Sequence, residues 1–191
     1  MFRELRANVT LFILLMAVTG VAYPWFMLNA GQTVFPVQAS GSLVKDGDKM
    51  IGSSLIGQNF AGAGYFHPRP SAANYDASNS SGSNLGPASP ELLKAVGDRA
   101  TALKQNVTLS TPVDLVTSSA SGLDPDISPA AARFQAPRVA EARHIDTAKL
   151  QELISMHIQP RSMGFIGENR VNVLELNRAL DQLASPSPSS P

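Results

Sequence analysis

"VTLFILLMAVTGVAYPWFML", Val9 to Leu28, carries no charged side chain. At about 1.5 Å per residue, a helix of about twenty residues crosses the roughly 30 Å hydrocarbon core of a bilayer, so the stretch predicts one transmembrane helix. No charge lies between Arg6 and Lys45, whereas Arg3 and Arg6 precede the run. Basic residues are retained on the cytoplasmic side, which puts residues 1–8 in the cytoplasm, 9–28 in the membrane and 29–191 beyond it. Tyr23 and Trp25 suit the outer headgroup layer, and Pro24 is tolerable near a helix end. Gly20-Val21-Ala22 offers the small-x-small pattern of a cleaved signal peptide, but the apolar run continues through Trp25-Phe26-Met27-Leu28, beyond a usual signal core. An anchor fits better.

The remaining chain is long enough for one domain. With 191 residues in all, there is room for a domain of ordinary size besides the anchor. Fifteen basic and fifteen acidic residues cancel, so the basic face of a nucleic-acid binder is missing and nucleic acid is not an expected partner. The absence of Cys excludes disulfides, thiolate metal sites, Cys nucleophiles and a lipoprotein anchor.

Residues 29–40 read as an uncharged, partly extended tether, with Pro36 opposing a helix. Leu43-Val44 and Met50-Ile51 flank Asp46-Gly47 and predict a hairpin. Ser89 and Pro90 form an N-cap and first turn, and Leu92, Val96, Ala100 and Leu103 continue a helix to about Asn106. "PVDLVTSS" alternates as a strand around Asp114 to Thr117. Separate short helices are expected after Pro129 and after Pro137. Asp146 caps a helix carrying Leu150, Leu153, Ile154 and Ile158. Asn172 and Glu175 resemble a capping box ahead of Leu176, Leu180 and Leu183. The expected fold is an α+β, or mixed α/β, extracytoplasmic domain over residues 41–184, anchored by a single N-terminal transmembrane helix and followed by a disordered tail, 185–191.

The sequence holds no recognisable catalytic constellation. "YDASNSSGSNLGP", residues 75–87, lacks the Lys of a phosphate-binding loop, and its sixth and twelfth positions, Ser81 and Pro87, are wrong for a calcium loop. No G-x-S-x-G elbow occurs. The loop reads as a shaped turn. Ser42 and Lys45 form S-x-x-K without the K-T-G that accompanies it in Ser-Lys enzymes. His67, His144 and His157 stand in no ligand-spaced pattern. Asp124 and Asp126, flanking Pro125, are either solvated turn acids or a lure for cations.

Several segments taken together are more specific. Leu55-Ile56-Gly57-Gln58, Arg69-Pro70-Ser71-Ala72, Ser81-Gly82-Ser83-Asn84-Leu85-Gly86, Ser121-Gly122-Leu123-Asp124-Pro125 and Arg170-Val171-Asn172-Val173-Leu174, in that order behind one transmembrane helix, resemble the C subunit of the bacterial Kdp potassium-transporting ATPase. The resemblance runs from about residue 3 to 183. Ala88-Ser89-Pro90 and Gln159-Pro160-Arg161 depart from the usual pattern.

The resemblance implies a non-catalytic subunit in the inner membrane that assembles and stabilises a high-affinity potassium pump. Its implied partners are a potassium-binding channel-like subunit, a P-type ATPase subunit and a small membrane subunit. It implies no tightly bound cofactor, and ATP only as a ligand shared with the ATPase subunit, whose nucleotide affinity the family is described as raising. The candidate motif and interface residues are Gln58, Arg69, Pro70, Ser71, Ser83, Asn84, Asp114, Asp124, Asp126, Arg170 and Asn172. The competing function class is a membrane-anchored periplasmic hydrolase or binding protein.

Overall fold

Apolar side chains face outward along the whole first helix. In the computed structural model, which describes residues 2–103 and 110–184, the chain divides into two units, Met1–Ser53 and Ser54–Pro191. In the first unit, helix α1 (Phe2–Ala17), a π-helical turn (Val18–Ala22) and helix α2 (Tyr23–Val34) run on without a break. The resulting helix of 33 residues is about 50 Å long. None of its apolar residues is buried, and Phe12, Leu14, Trp25 and Phe26 are all well exposed. A helix that is apolar all round needs an apolar solvent, and this one is long enough to cross a membrane.

Polar side chains along it are satisfied internally. Thr10, Thr19 and Thr33 donate their hydroxyls to the carbonyls of Arg6, Leu15 and Asn29, and the Asn29 amide donates to Trp25. The π turn ends two residues before Pro24, and Tyr23 N–H bonds back to Val18 O. Widening the helix there lets the ladder continue past a residue that has no N–H to give.

The expected extended tether is corrected. Helix persists through Val34, Phe35 breaks it, and Pro36 opens a further helical turn, α3 (Pro36–Ala39). A proline fits a first helical turn because its missing N–H has no intrahelical partner there anyway. The expected hairpin forms between β1 (Leu43–Asp46) and β2 (Lys49–Ser53), which pair antiparallel around Gly47 at φ 57°.

The second unit mixes helices with one small sheet. Its elements are α4 (Pro90–Leu103), a 3-10 turn (Val113–Leu115), β3 (Asp126–Ile127), α5 (Pro129–Arg143), α6 (Thr147–Met156), β4 (Ile158–Gln159), β5 (Arg170–Asn172) and α7 (Val173–Ala184). Strand order is β3-β5-β4, with every pair antiparallel, so of the two expected classes α+β is the one observed. Val171 stands between Ile127 and Ile158 in the register. It joins Ala132, Ala136 and Val139 of α5, Leu150 and Ile154 of α6, and Leu176 and Leu180 of α7 in one core.

Three local expectations are corrected. The segment around Asp114 is a 3-10 turn: Pro112 starts it at φ −61°, and the adjacent Leu115 and Val116 are both buried, which a two-sided strand cannot achieve with one face in solvent. Helix α5 passes through Pro137 unbroken. The ring of Pro137 is exposed, so the carbonyl it leaves unpaired lies on the solvent side, while Ala132, Ala136, Val139 and Ala140 bury the opposite face. Ile158 leaves the α6 face and enters β4. The predicted helix end at Asn106 and the tail 185–191 lie outside the described residues.

Side-chain amides hold the long segment that precedes α4. The Asn177 side chain accepts from Phe66 N at 2.8 Å and donates to Phe66 O at 2.9 Å. Gln135 does the same for His67, at 2.8 and 3.1 Å. Phe66, Asn177 and Gln135 are all buried. Two helices thereby satisfy a strandless backbone that would otherwise bury unpaired donors and acceptors.

Candidate functional site

Asp124 lies just ahead of β3, Asp126 opens that strand, and Arg170 opens β5 beside it. The two strands are antiparallel with Asp126 opposite Asn172, so Arg170, two residues along β5 from Asn172 and on the same face, reaches the acid diagonally across the strand pair. Arg170 Nε meets Asp126 Oδ2 at 3.0 Å, and Arg69 Nη1 meets Asp124 Oδ2 at 3.1 Å. These four residues line an open depression of about 480 Å³, together with Asp114, Thr117, Ser128 and Glu168. Four carboxylates (Asp114, Asp124, Asp126, Glu168) against two guanidiniums (Arg69, Arg170) leave its wall formally negative by two.

Most of its polar groups already have structural work. Asp114 accepts from Ser128 N at 2.7 Å, and Asp124 accepts from Asp126 N at 3.1 Å through its second oxygen. Thr117 donates its hydroxyl to Val113 O, and Ser128 Oγ caps α5 by accepting from Ala131 N. Desolvation raises the Asp126 carboxyl above its ordinary value, with Asp124 and Glu175 adding to the effect while Arg170 and Asn172 oppose it. Asp126 and Arg170 also border a second, smaller depression of about 190 Å³, where Asn172 and Glu175 lie.

Asn172 has a double duty. Its Oδ1 caps α7 by accepting from Glu175 N at 3.1 Å, as the capping pattern predicts, and its Nδ2 donates to Ser54 O at 2.8 Å. Ser71 is a similar hub. Its hydroxyl donates to Gly122 O at 2.7 Å and accepts from Ala73 N and Tyr75 N, while Pro70 O takes Ser119 N. The Tyr75 hydroxyl donates to Arg69 O at 2.6 Å. Gln58, Ser83 and Asn84 line neither depression. The structure therefore unites Arg69, Asp114, Asp124, Asp126 and Arg170, and leaves the rest of the predicted set as scaffold or separate surface.

The serine-rich loop is a shaped turn. Asp76 accepts from both the N–H and the hydroxyl of Ser78, and Ser80 donates to Ser121 O at 2.9 Å. Gly82 lies so close to the next segment that an added Cβ would sit 2.7 Å from Ala120 O. At Gly122, φ 68°, an added Cβ would in turn sit 2.7 Å from Ser81 O. No larger residue fits either crossing.

Sequence reasoning missed Gln135, Asn177, Arg138 and Arg143. Arg138 donates to the carbonyls of Ala63 and Tyr65, and Arg143 bonds Gly64 O, pairs with Asp181 at 2.7 Å and covers the Tyr65 ring at 4.4 Å. The available signal was a lone amide on an otherwise apolar helix face, Gln135 among alanines and Asn177 among leucines.

The family model described as "K+-transporting ATPase, c chain", KdpC, matches residues 5–182. The chain belongs to the KdpC family. A potassium-transporting ATPase KdpC subunit of Acidobacterium capsulatum is 51% identical, over 94% of this chain and 98% of its own length. KdpC subunits of Bradyrhizobium diazoefficiens and Mycobacterium bovis are each 48% identical, over 97% and 96% of this chain and the full length of each relative. KdpC membership makes the chain a subunit of a potassium-transporting ATPase, and its apolar N-terminal helix fits single-pass membrane anchoring. The hydrolase alternative is not favoured.

Proposed function

We propose that the chain is the accessory, non-hydrolytic subunit of this pump, held in the bacterial inner membrane by its first unit, with the second unit on the extracytoplasmic side. The observation that carries the reading is the occupancy of the charged depression. Its arginines, its three aspartates and its hydroxyls are paired with each other or with backbone, so they shape a surface and, among the described residues, leave no nucleophile with an adjacent base there. Such a surface acts by docking.

Partners of the kind the family resemblance implies would be a channel-like potassium-binding subunit, a P-type ATPase subunit and a small membrane subunit. Arg3 and Arg6 favour a cytoplasmic N-terminus. ATP would then reach this chain only through the partner that hydrolyses it, and any effect on nucleotide affinity would be transmitted by docking. The net negative wall to which Asp124 and Asp126 belong, with Asp114 and Glu168 in excess over the two arginines, would also concentrate cations near the partner it covers.

The test is reconstitution. Omitting the chain should abolish potassium-stimulated ATP hydrolysis by the detergent-purified complex, and adding the full chain back should restore it. The chain alone should hydrolyse neither ATP nor model esters. Turnover by the isolated chain, or a complex that works unchanged without it, refutes the reading.

A further inference from the structure

The connection between β4 and β5 carries three large apolar side chains away from the core. Met163 is 85% exposed, Phe165 73% and Ile166 52%. Elsewhere in the second unit the exposed large apolar residues, such as Leu55, Leu93 and Met156, are separated along the chain. Contiguous exposed apolar surface marks an interaction site, whereas isolated apolar residues do not.

The turn that presents these side chains is closed by four backbone hydrogen bonds. Ser162 and Ile166 exchange two backbone hydrogen bonds of 2.9 Å each, Gly164 N bonds Arg161 O at 3.1 Å, and Phe165 N bonds Ser162 O at 3.3 Å. Met163 and Gly164 occupy left-handed backbone at φ 53° and 83°, and Gly167 follows at 81°. Asn and Gly are the residues suited to such a turn, so a methionine there is held against its own preference. Backbone held in this way persists where a fixed presentation of side chains is useful. Arg161, at the base of the tip, is exposed and has no ion-pair partner among the described residues.

We infer that Met163, Phe165 and Ile166 form a preorganised plug that inserts into an apolar socket, rimmed by a carboxylate that meets Arg161, on another protein subunit of the same ATPase. The inference rests on the subunit reading above and names the surface through which it operates. A lipid surface would accept any apolar tip and gains nothing from a turn held in strained backbone. A protein socket discriminates by shape, and a rigid aromatic anchor binds it with little entropy to lose. With Glu168 on the other leg the base is formally neutral, so Arg161 specifies one point on the rim of that socket and the apolar tip its floor.

The experiment uses the full complex purified in mild detergent, with the photo-reactive analogue p-benzoylphenylalanine at position 165 and, as control, at position 149 in place of Lys149. Irradiation should join position 165 to one other subunit and leave position 149 without an adduct. Met163→Ser with Phe165→Ser should lower recovery of this chain in the complex by about tenfold or more, the scale of an interface anchor, while its unfolding temperature stays unchanged. Arg161→Glu should weaken recovery in the same direction. Adducts only to lipid or to a second copy of this chain, or full recovery of the double variant, overturn the plug while the subunit reading stands. Failure of the unsubstituted chain to co-purify with any ATPase subunit overturns both.

Discussion

Asn177→Leu is the sharpest test of how the second unit is held together. The substitution keeps the branching and heavy-atom count of the side chain and replaces the amide by two bulkier methyls, so no cavity opens to confuse the result. It leaves Phe66 N–H and C=O, on a residue with 0% exposure, without the partners they now have at 2.8 and 2.9 Å. Each buried group so orphaned costs about 1–3 kcal/mol, giving roughly 2–6 kcal/mol for the pair. That is a large share of the 5–15 kcal/mol typical of a whole domain. For a chain of this size, about 2–4 °C of melting temperature accompanies each kcal/mol, so a fall of at least about 4 °C is expected. Urea unfolding of the full chain in detergent, followed by Trp-independent far-ultraviolet circular dichroism, measures the change directly. A loss below about 1 kcal/mol would show that Phe66 finds other partners, and the amide clamp would not be the device described. Asn177→Asp adds a signature of its own. A carboxyl there must be protonated to donate to Phe66 O, so its folded pKa lies above the unfolded one, and the variant should lose stability as pH rises above the ordinary carboxylate range.

Leu14→Arg, which puts a charge into the apolar run at about 2.5–3.5 kcal/mol on insertion scales, should reduce membrane-bound protein and pump assembly. A reporter active only in the periplasm, fused after Ala184, should be active; activity of a cytoplasmic reporter there would reverse the proposed orientation. Burial, then the charge of Arg138, lowers the His67 pKa below its ordinary 6.5, so the neutral ring is the folded form and stability should fall as pH drops below about 6.5. His67→Gln should flatten that acid limb. Asp124→Asn with Asp126→Asn should raise the half-saturating potassium of the assembled pump at low ionic strength and converge with the parent at high potassium. Screening over about 8 Å at physiological salt sets the range of the effect.

What could be read from the sequence was what short-range physics decides. An uncharged run of helix length announces itself, a capping residue writes its own hydrogen bond, and Asp46-Gly47 names a turn. Asp146 and Asn172 cap α6 and α7 as expected. Long-range pairing has no such signature. The β3 and β4 strands contain only two residues each, Asp126–Ile127 and Ile158–Gln159, too few for any alternation to register, and their existence depends on β5 arriving between them. Pro137 was misread because the penalty of an interior proline depends on which way its ring faces, a property of the packed helix. The site was half legible for the same reason. Asp124 and Asp126 stand out as a pair around Pro125, but their arginines come from residues 69 and 170, and only the folded chain brings them together.

These observations fit one constructional logic. The second unit spends little of its chain on sheet, and from Ser54 to Ser89 it forms neither helix nor strand. Such a segment keeps a definite shape only if its buried backbone groups are paired by something else. Here Asn177 and Gln135 pair Phe66 and His67, Arg138 and Arg143 collect the carbonyls of residues 63 to 65, Ser71 ties Gly122, and Asn172 ties Ser54. Each is a side chain reaching from a helix, strand end or turn to backbone far away in sequence. A surface fixed by many such ties cannot reshape locally without leaving polar groups unpaired, so it can be recognised by form. That is the property the proposed accessory role would need, and it accounts for the glycines and serines at the crossings, Gly82, Gly122 and Ser71, in the quoted family segments, as well as charged residues that face solvent.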